Sequence, residues 1–414
     1  MSAPALAPAG PEVGLGRYTP EAPLALLTDY PPDVAGGGAV ILRSLLGPEE
    51  RRRILWLTPS PPAGGAADAD AAGPTVHLRA GSAGRGRRRS LGLDQTIYAR
   101  ALAEEALATA RERGASALWV VMHGAAVAMA ARIARRGALP IHATVHDDPA
   151  FANALRSRKY LALVPLISRD FDATLRRAAS VDVIGDAMGA YYRRRLGVDS
   201  VVVHRGLPGP VAPAPDYDPA RHGLRVGVLG STYAYEQLPI LGRAVEQAAG
   251  RLGVPGRLLI VGRSYGDRLR AELGGRVEVE VTGHVEEAEG VARLRDCFAL
   301  YLNYPFGRRD AVLRRTSFPT KLSTYVQAAR PLLIHAPADS SVLPLVGPDG
   351  YAHHWGSPAE AEGADLLARL WAAPDAFAGR HEAAERVRAR YYDPARNRRA
   401  LFEALAALAP ASGP

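Results

Sequence analysis

The chain of 414 residues has little cysteine and few aromatic residues, and each shortage excludes a class of protein. Its one cysteine, Cys297, allows no internal disulfide framework and no multi-cysteine metal site, which favours a reducing compartment such as the cytoplasm. Aromatic residues make up 7% of the chain and do not alternate with basic residues, as a stacking surface for single strands would require. We therefore expect no nucleic-acid partner.

Long apolar runs are also missing. The longest, Ala115–Ala131, contains His123 and falls short of the roughly 20 residues that a helix needs to cross a bilayer. An integral membrane protein is therefore not predicted. Residues 1–23 are rich in alanine, proline and glycine, carry Glu12 and Glu21, and show no secretion-signal pattern, so we expect a disordered leader there.

Basic residues are in excess in the first half of the chain. Residues 1–210 contain 26 basic and 19 acidic residues, a net charge of 26 − 19 = +7. Residues 211–414 contain 25 and 23, a net charge of 25 − 23 = +2. The densest cluster is Arg85-Gly86-Arg87-Arg88-Arg89. This excess indicates an anionic partner for the first half. We predict a cytoplasmic protein with an anionic membrane surface as a candidate contact, which would place it peripherally on the inner face of the membrane.

Apolar runs without alternation, typical of buried parallel strands, occur in two series with helical stretches between them. The runs are Leu24–Thr28, Ile54–Thr58, Ala117–Met122, Ile141–Val145 and Val181–Ile184, then Leu224–Leu229, Arg257–Val261, Val277–Thr282, Phe298–Leu302 and Pro331–His335. Two successive β-α-β series predict an α/β protein with two Rossmann-like, doubly wound domains.

Composition sets the expected domain bounds. The N-terminal Rossmann-like domain spans residues 24–207, and a proline-rich linker spans residues 208–222. The C-terminal Rossmann-like domain spans residues 223–375. Residues 376–414 are predicted to form helices that break at Asp393-Pro394 and pack back on the N-terminal domain.

Ligands of open α/β sheets bind at the carboxyl ends of the strands, so we expect the functional residues in the loops there. The first strand is followed by Gly36, Gly37 and Gly38, just before a helix predicted to begin near Ala39. Glycines at this place let backbone N–H groups approach a ligand closely. The loop is not a GxGxxG fingerprint, and the chain has no Walker loop, so a dinucleotide enzyme is disfavoured.

Histidines follow two later strands of the first series. His123 comes directly after one strand, and His146-Asp147 comes directly after the next. Because these strand ends share one sheet edge, both histidines are candidates for a ligand site. No further ligand lies at metal-binding spacing nearby, so no metal is predicted. No nucleophile motif is present.

The second series has its own glycine loops and a candidate phosphate site. Gly230-Ser231-Thr232, Gly262-Arg263 and Gly283-His284-Val285 end its first three strands. A later helix is predicted to begin with Thr316 or Ser317 as cap and to carry Lys321 in its first turn. Lys321 and Lys159 are the only lysines of the chain. A compact ammonium beside a helix N-terminus suits a phosphate.

Together, the two series, the glycine loop and the segment around Lys321 resemble GT-B glycosyltransferases, specifically the retaining family 4 group, over roughly residues 24–405. The resemblance implies two lobes facing a cleft, with the acceptor bound by the N-terminal lobe and the nucleotide sugar by the C-terminal lobe. It also implies front-face transfer with retention from a nucleotide-diphosphate sugar. It implies a sugar or lipid-linked acceptor, a role in cell-envelope or polysaccharide synthesis, and no cofactor.

The resemblance also assigns roles to residues. His123 matches a histidine that contacts the donor sugar, His146 and Asp147 match a His-Asp pair assigned here to the acceptor side, and Lys321 lies in the family's donor helix. The predicted catalytic residues are thus His123 and Lys321. The predicted donor-binding residues are Gly36, Gly37, Gly38, Gly230, Ser231, Arg263, His284, Val285, Thr316, Ser317 and Thr324.

The chain departs from the family pattern at three positions near Lys321, and it also lacks the family's Arg and Lys after the first strand of the C-terminal lobe, since Thr232–Leu238 contains neither. Two glutamates that contact the sugar and the ribose in the family are Thr316 and Thr324 here, and a family glycine is Ala329. A threonine cannot accept hydrogen bonds from two ribose hydroxyls as a carboxylate does. A catalytically inactive GT-B-like binding protein would explain the threonines. A sugar-nucleotide epimerase would need acidic residues on these loops, where few occur. A nicotinamide dehydrogenase is disfavoured, because the chain lacks the glycine fingerprint of that class.

Overall fold

The computed structural model describes residues 14–32, 37–61, 74–83, 90–149, 158–230, 232, 234–262, 265–346, 350–373 and 379–408. The chain forms two compact units, the first comprising Met1–Gly206 with Pro394–Pro414 and the second comprising Leu207–Asp393. Each contains a parallel sheet with helices, so the predicted pair of Rossmann-like α/β domains is confirmed. Within the described residues, no helix is both long and apolar enough to cross a membrane.

The first unit has a seven-stranded sheet. Its strands are β1 (Leu24–Leu27), β2 (Ile54–Thr58), β3 (Thr75–His77), β4 (Leu118–Val121), β5 (Ile141–Val145), β6 (Ser180–Val183) and β7 (Val201–Val202). They are parallel and lie in the order β3-β2-β1-β4-β5-β6-β7. Every residue of β1, β2, β4 and β5 is buried, which explains their uninterrupted apolar sequences.

The described helices of the first unit vary from short turns to three or four turns. They are α1 (Gly37–Leu45), α2 (Pro48–Arg52), α3 (Leu91–Gln95), α4 (Ala99–Glu112), α5 (Ala125–Arg136), α6 (Val164–Leu175), α7 (Asp186–Leu196) and, after the second unit, α16 (Pro394–Ala406). The ends of α5 and α7 are set by Gly137 and Gly197, which adopt the left-handed conformation that favours glycine after a helix.

The second unit has a six-stranded parallel sheet. Its strands are β8 (Leu224–Leu229), β9 (Gly256–Val261), β10 (Glu278–Val281), β11 (Ala299–Asn303), β12 (Leu332–His335) and β13 (Ala352–Trp355), in the order β10-β9-β8-β11-β12-β13. Its helices are α8 (Pro219–His222), α9 (Gln237–Leu252), α10 (Gly266–Leu273), α11 (Glu287–Arg295), α12 (Ala311–Thr316), α13 (Lys321–Ala328), α14 (Glu360–Ala372) and α15 (Arg380–Tyr391).

Both faces of this second sheet are buried. Leu258 and Ile260 belong to one hydrophobic cluster, while Leu259 and Val261, on the same strand, belong to the other. The alternation follows from the two-residue period of a strand. Helices thus cover both faces, as expected for a doubly wound sheet.

Each sheet has one place where the strand order reverses. In the first unit the chain runs outward from β1 to β3 and returns to β4 beside β1, and in the second unit β8 and β11 have the same relation. Loops at the carboxyl ends of these strand pairs diverge and leave a crevice where ligands of such sheets bind. The fold therefore directs attention to the loops after β1, β4, β8 and β11.

Several expectations about segments need correction. Residues 14–23 of the expected disordered leader contain the buried side chains of Leu15 and Tyr18, while residues 1–13 lie outside the described part. The proline-rich stretch, residues 208–222, belongs to the second unit, and its Val211 lies in that unit's core. Leu207, which was assigned to the first domain, lies in the same core. The two C-terminal helices belong to different units: α15 packs on α13, and α16 packs on β6, β7 and α1.

The predicted start of the Lys321 helix was wrong by about one turn. Thr316 is the last residue of α12, Ser317 is extended, and α13 begins at Lys321. The hydroxyl of Thr316 donates to the carbonyl of Val312 in its own helix at 2.6 Å and so does not cap the next one.

Candidate functional site

In the first unit, His123 and Asp29 meet at the strand-order reversal. His123 follows β4, its side chain is 27% exposed, and its Nδ1 lies 3.9 Å from Oδ2 of Asp29, which follows β1. The other carboxylate oxygen of Asp29 accepts a hydrogen bond of 2.9 Å from the N–H of Ala125, the first residue of α5. A helix N-terminus stabilises a carboxylate in this position.

Three of the predicted N-terminal residues come together in this unit. A Cβ built on Gly38 would lie 2.5 Å from the hydroxyl of Tyr30 and 3.1 Å from Nδ1 of His146, so a side chain here would displace one or both of these groups. The ring of Tyr30 also packs edge-on against His123, with centroids 6.3 Å apart. Gly38, His123 and His146 therefore form one cluster around Tyr30.

His146 is neutral near pH 7 in this cluster. Burial lowers its pKa to about 4, with a further lowering by His123 that is opposed by Asp182. Asp147 beside it is partly buried. Gly37 is the first residue of α1, two positions earlier than the predicted helix start, and Gly36 lies outside the described residues.

In the second unit, the glycines after β8, β9 and β10 converge. Gly262 forms an antiparallel bridge with Gly283, and the N–H of Gly230 donates to the carbonyl of Val261 at 2.7 Å. Gly262 has φ +132°, a conformation that side chains rarely adopt, and a Cβ there would lie 3.4 Å from Cα of Gly230. These three glycine loops thus lie close together in the second unit.

Of the four site residues predicted beside these glycines, the structure describes two. His284 is exposed and Val285 is partly buried. Ser231 and Arg263 lie outside the described residues.

Tyr325 fixes α13 to this edge. Its side chain is fully buried, and its hydroxyl accepts a hydrogen bond from the N–H of Leu229 at 2.8 Å and donates one to the carbonyl of Tyr301 at 2.8 Å. Leu229 ends β8 and Tyr301 lies in β11, the two strands at the reversal of order. The N-terminus of α13, with Lys321 as its first residue, therefore lies at the carboxyl edge of the sheet.

Burial lowers the pKa of the Lys321 amine to about 8. The amine is thus protonated at pH 7, although its surroundings disfavour the charge. A bound anion would relieve that penalty.

The hydroxyl-bearing residues near Lys321 are differently placed. Thr316 and Ser317 are each only 1% exposed, and the hydroxyl of Ser317 donates to that of Tyr304 at 3.1 Å. Both hydroxyls therefore make hydrogen bonds within the second unit. Thr324 instead donates to Oε1 of Glu287 at 3.2 Å, and the side-chain amide of Gln327 donates to the same oxygen at 3.3 Å.

Sequence reasoning missed two acidic residues at these edges, Glu287 and Asp29. Glu287 begins α11, two residues after Val285, and brings a carboxylate against Thr324, where the resemblance led us to expect a glutamate. Asp29 was not predicted as a site residue, although it directly follows the predicted first strand, Leu24–Thr28. An acidic residue just after a strand or in the first turn of a helix is the available signal.

Two of the arginines near the Lys321 helix are held by one carboxylate. Arg314 binds both oxygens of Asp339, at 2.7 and 3.0 Å, and Arg315 binds one of them at 2.6 Å. The hydrogen bond from Arg314 holds the pKa of Asp339 at about 2. Arg308 and Arg309, by contrast, are exposed in the turn before α12.

The sequence matches no protein-family model and none of the curated proteins. Solved structures are nevertheless similar to the chain. HepE from Anabaena in complex with UDP is 14% identical, with a TM-score of 0.63 over 93% of this chain and 99% of HepE. Further HepE structures contain UDP and glucose, or UDP-glucose.

Two synthases give similar matches. Sucrose-phosphate synthase from Thermosynechococcus elongatus is 16% identical, with a TM-score of 0.67 over 94% of this chain and 100% of the synthase. A UDP-forming α,α-trehalose-phosphate synthase from Burkholderia vietnamiensis is 16% identical, with a TM-score of 0.59 over 95% and 99%. At such identities the similarity concerns the fold alone, and the chain shares the fold of GT-B glycosyltransferases.

Proposed function

We propose that this protein is a glycosyltransferase that uses a nucleotide-diphosphate sugar and retains the configuration of the transferred sugar. One observation carries the proposal: α13 begins with Lys321 at the carboxyl edge of the second sheet, where the glycines after β8, β9 and β10 converge. HepE, which has a similar fold, has been solved in complex with UDP and with UDP-glucose, and this supports a nucleotide-sugar ligand for this edge.

The diphosphate fits the N-terminus of α13. The dipole of this helix attracts an anion to its N-terminus, and the Lys321 ammonium adds a full charge. When the bond between sugar and diphosphate breaks, negative charge collects on the leaving diphosphate. Groups already aimed at that charge stabilise the transition state more than the ground state. Lys321 therefore contributes to turnover as well as to binding.

Glu287 gives the nucleoside end of this site a carboxylate. A carboxylate can accept hydrogen bonds from two neighbouring hydroxyls, as in a ribose, whereas Thr324 alone cannot. Thr324 and Gln327 both donate to Oε1 of Glu287 and thereby orient it. We assign ribose recognition to Glu287, supported by Thr324.

Retention, the acceptor and the envelope role rest on the resemblance to the retaining family 4 group. Front-face transfer requires no protein nucleophile, because the leaving diphosphate itself assists the incoming hydroxyl. A sugar or lipid-linked acceptor and a place in polysaccharide synthesis follow from the same resemblance. The membrane contact depends on Arg85–Arg89, which lie outside the described residues.

A second candidate function is nucleotide-sugar binding without transfer. Thr316 favours it, because its buried hydroxyl bonds to the carbonyl of Val312 and a family glutamate at this position would contact the sugar. Product formation separates the two functions, since a binding protein would hold the nucleotide sugar without consuming it.

The test begins with calorimetric binding of nucleoside diphosphates and nucleotide sugars to the wild type. Lys321→Ala should bind roughly ten- to hundredfold more weakly, because one charge-assisted bond to phosphate contributes about 1.5–3 kcal/mol. Arg251→Ala is the matched control: it removes a cation that is paired with Asp365 at the other end of the unit's sheet. NMR of the product then determines the anomeric configuration. A folded wild type that binds no nucleoside diphosphate, or equal affinities in both variants, contradicts the proposal.

A further inference from the structure

The carboxylate of Asp29 is buried in the first unit and contacts two neighbouring groups. The residue is 5% exposed, although it lies at the end of β1 where loops are normally solvated. One oxygen accepts the hydrogen bond from the N–H of Ala125, and the other faces Nδ1 of His123. The hydrogen bond from Ala125 offsets part of the cost of burying this carboxylate.

The absence of a side chain at Gly124 leaves space for this carboxylate. It has φ +54° and ψ −136°, and a Cβ at this position would lie 2.1 Å from Oδ2 of Asp29. The side-chain amide of Gln95 donates to its carbonyl at 2.9 Å and fixes the peptide from the other side. The chain thus leaves room between His123 and α5 for one carboxylate, and any side chain at position 124 would collide with it.

The imidazole of His123 is confined on two sides by neighbouring groups. Asp29 faces its Nδ1, and the ring of Tyr30 packs edge-on against it. A carboxylate beside one ring nitrogen favours the proton on that nitrogen and leaves the other nitrogen as an acceptor.

We propose that Asp29 is a positioning residue that keeps the proton of neutral His123 on Nδ1, so that Nε2 accepts a hydrogen bond from a substrate hydroxyl. The identity of that hydroxyl as one of a transferred or accepting sugar rests on the proposed function. At 3.9 Å the carboxylate acts on Nδ1 through its charge, which favours a proton on the facing ring nitrogen in the ligand-free protein as well.

The first test is spectroscopic and needs no substrate. Nitrogen-15 chemical shifts of His123, assigned by loss of its signals in His123→Asn, report which ring nitrogen carries the proton. We expect the Nδ1–H tautomer in the wild type. In Asp29→Asn the amide oxygen can still accept from Ala125, while the amide nitrogen donates to Nδ1 and moves the proton to Nε2. Asp172→Asn is the control, since that carboxylate pairs with Arg195 elsewhere in the same unit.

The second test is kinetic. Asp29→Asn should lower kcat at least about tenfold, because a donor replaces the acceptor at Nε2, an exchange equivalent to about 1.4 kcal/mol or more. Affinity for the nucleoside diphosphate alone should be unchanged, because that ligand lacks the sugar. Asp172→Asn should match the wild type.

The outcomes separate this inference from the proposed function. A wild-type His123 that carries its proton on Nε2, or on both nitrogens at neutral pH, overturns the inference even if the protein transfers sugar. A wild type with the Nδ1–H tautomer and an Asp29-dependent shift supports it even if no transfer is found with any donor. An unfolded Asp29→Asn leaves the wild-type tautomer as the deciding measurement.

Discussion

At Lys321, burial and charge oppose each other, and the balance sets a pH dependence. Burial lowers the pKa of its amine from 10.5 to about 8, so the folded protein releases this proton more readily than the unfolded chain does. Between about pH 8 and 10.5 the unfolded state therefore binds more protons, and this residue makes the stability of the ligand-free protein rise with pH. The gain is complete above the unfolded pKa.

Ligand affinity should change in the opposite direction. A diphosphate favours the protonated amine, so above about pH 8 binding must first recapture a proton, and affinity should fall by up to about tenfold per pH unit. Calorimetry at about pH 7 and about pH 9, in buffers of different ionisation enthalpy, measures both the fall and the proton uptake. Lys321→Met should bind weakly at both values and lose this dependence. An equally steep fall in that variant would assign the titration to another group.

Single residues were predictable where their chemistry is carried by local sequence. Gly38 precedes a helix and His123 follows a strand, so their place at a sheet edge could be inferred from neighbours in the chain. Asp29 and Glu287 could not be assigned in this way. Asp29 accepts a hydrogen bond from Ala125, and Glu287 accepts one from Thr324. Both contacts join residues far apart in the sequence, so they depend on tertiary structure.

At the scale of elements, α13 depends on the hydroxyl of Tyr325 for its attachment to β8 and β11. Tyr325→Phe would leave the N–H of Leu229 buried without its acceptor, which should lower the free energy of unfolding by about 1–3 kcal/mol. Affinity for the nucleoside diphosphate should also fall, because the N-terminus of α13 is less firmly held. Denaturant unfolding and calorimetry measure the two effects.

Tyr351→Phe is the matched control for Tyr325→Phe. Tyr351 is fully buried in the same hydrophobic cluster, and its hydroxyl has no hydrogen-bond partner among the described residues. Its removal should therefore be neutral or stabilising. Equal effects of the two substitutions would show that Tyr325 acts through packing alone, and the attachment of α13 would need another explanation.

Elements were predicted well where a strong local pattern exists. Strands such as β1 and β8 are apolar throughout or nearly so, and their bounds were found within one or two residues. The edge strands β3, β7 and β13 were missed, because β3 is short and partly exposed, β7 has only two residues, and β13 contains two histidines. The start of α13 was misplaced because the choice of cap depends on where the hydroxyl of Thr316 bonds.

At the scale of the whole molecule, the two-unit architecture could be read from the sequence, but the path of the chain's last helix could only be guessed in part. Two series of apolar runs are a local property and predict two sheets. The division at Asp393-Pro394, where α15 stays with the second unit and α16 returns to the first, depends on contacts far apart in sequence. Asn397 accepts from the N–H of His204, and the carbonyl of Ala404 accepts from Ser180.

The return of α16 predicts that the first unit needs the end of the chain in order to fold. A chain ending at Asp393 would lose the buried side chains of Leu401, Phe402 and Leu405 and the ion pair between Arg398 and Glu50. Burying three such apolar side chains contributes roughly 1.5–3 kcal/mol each, an amount comparable to the whole stability of a domain. Hydrogen exchange should therefore show loss of protection in β6 and β7 while β8 to β13 remain protected, and nucleoside diphosphate should still bind. A chain ending at Leu408, which keeps α16, is the control. Uniform loss of protection across both units would mean that they fold as one body, and unchanged protection in β6 would mean that α16 is dispensable.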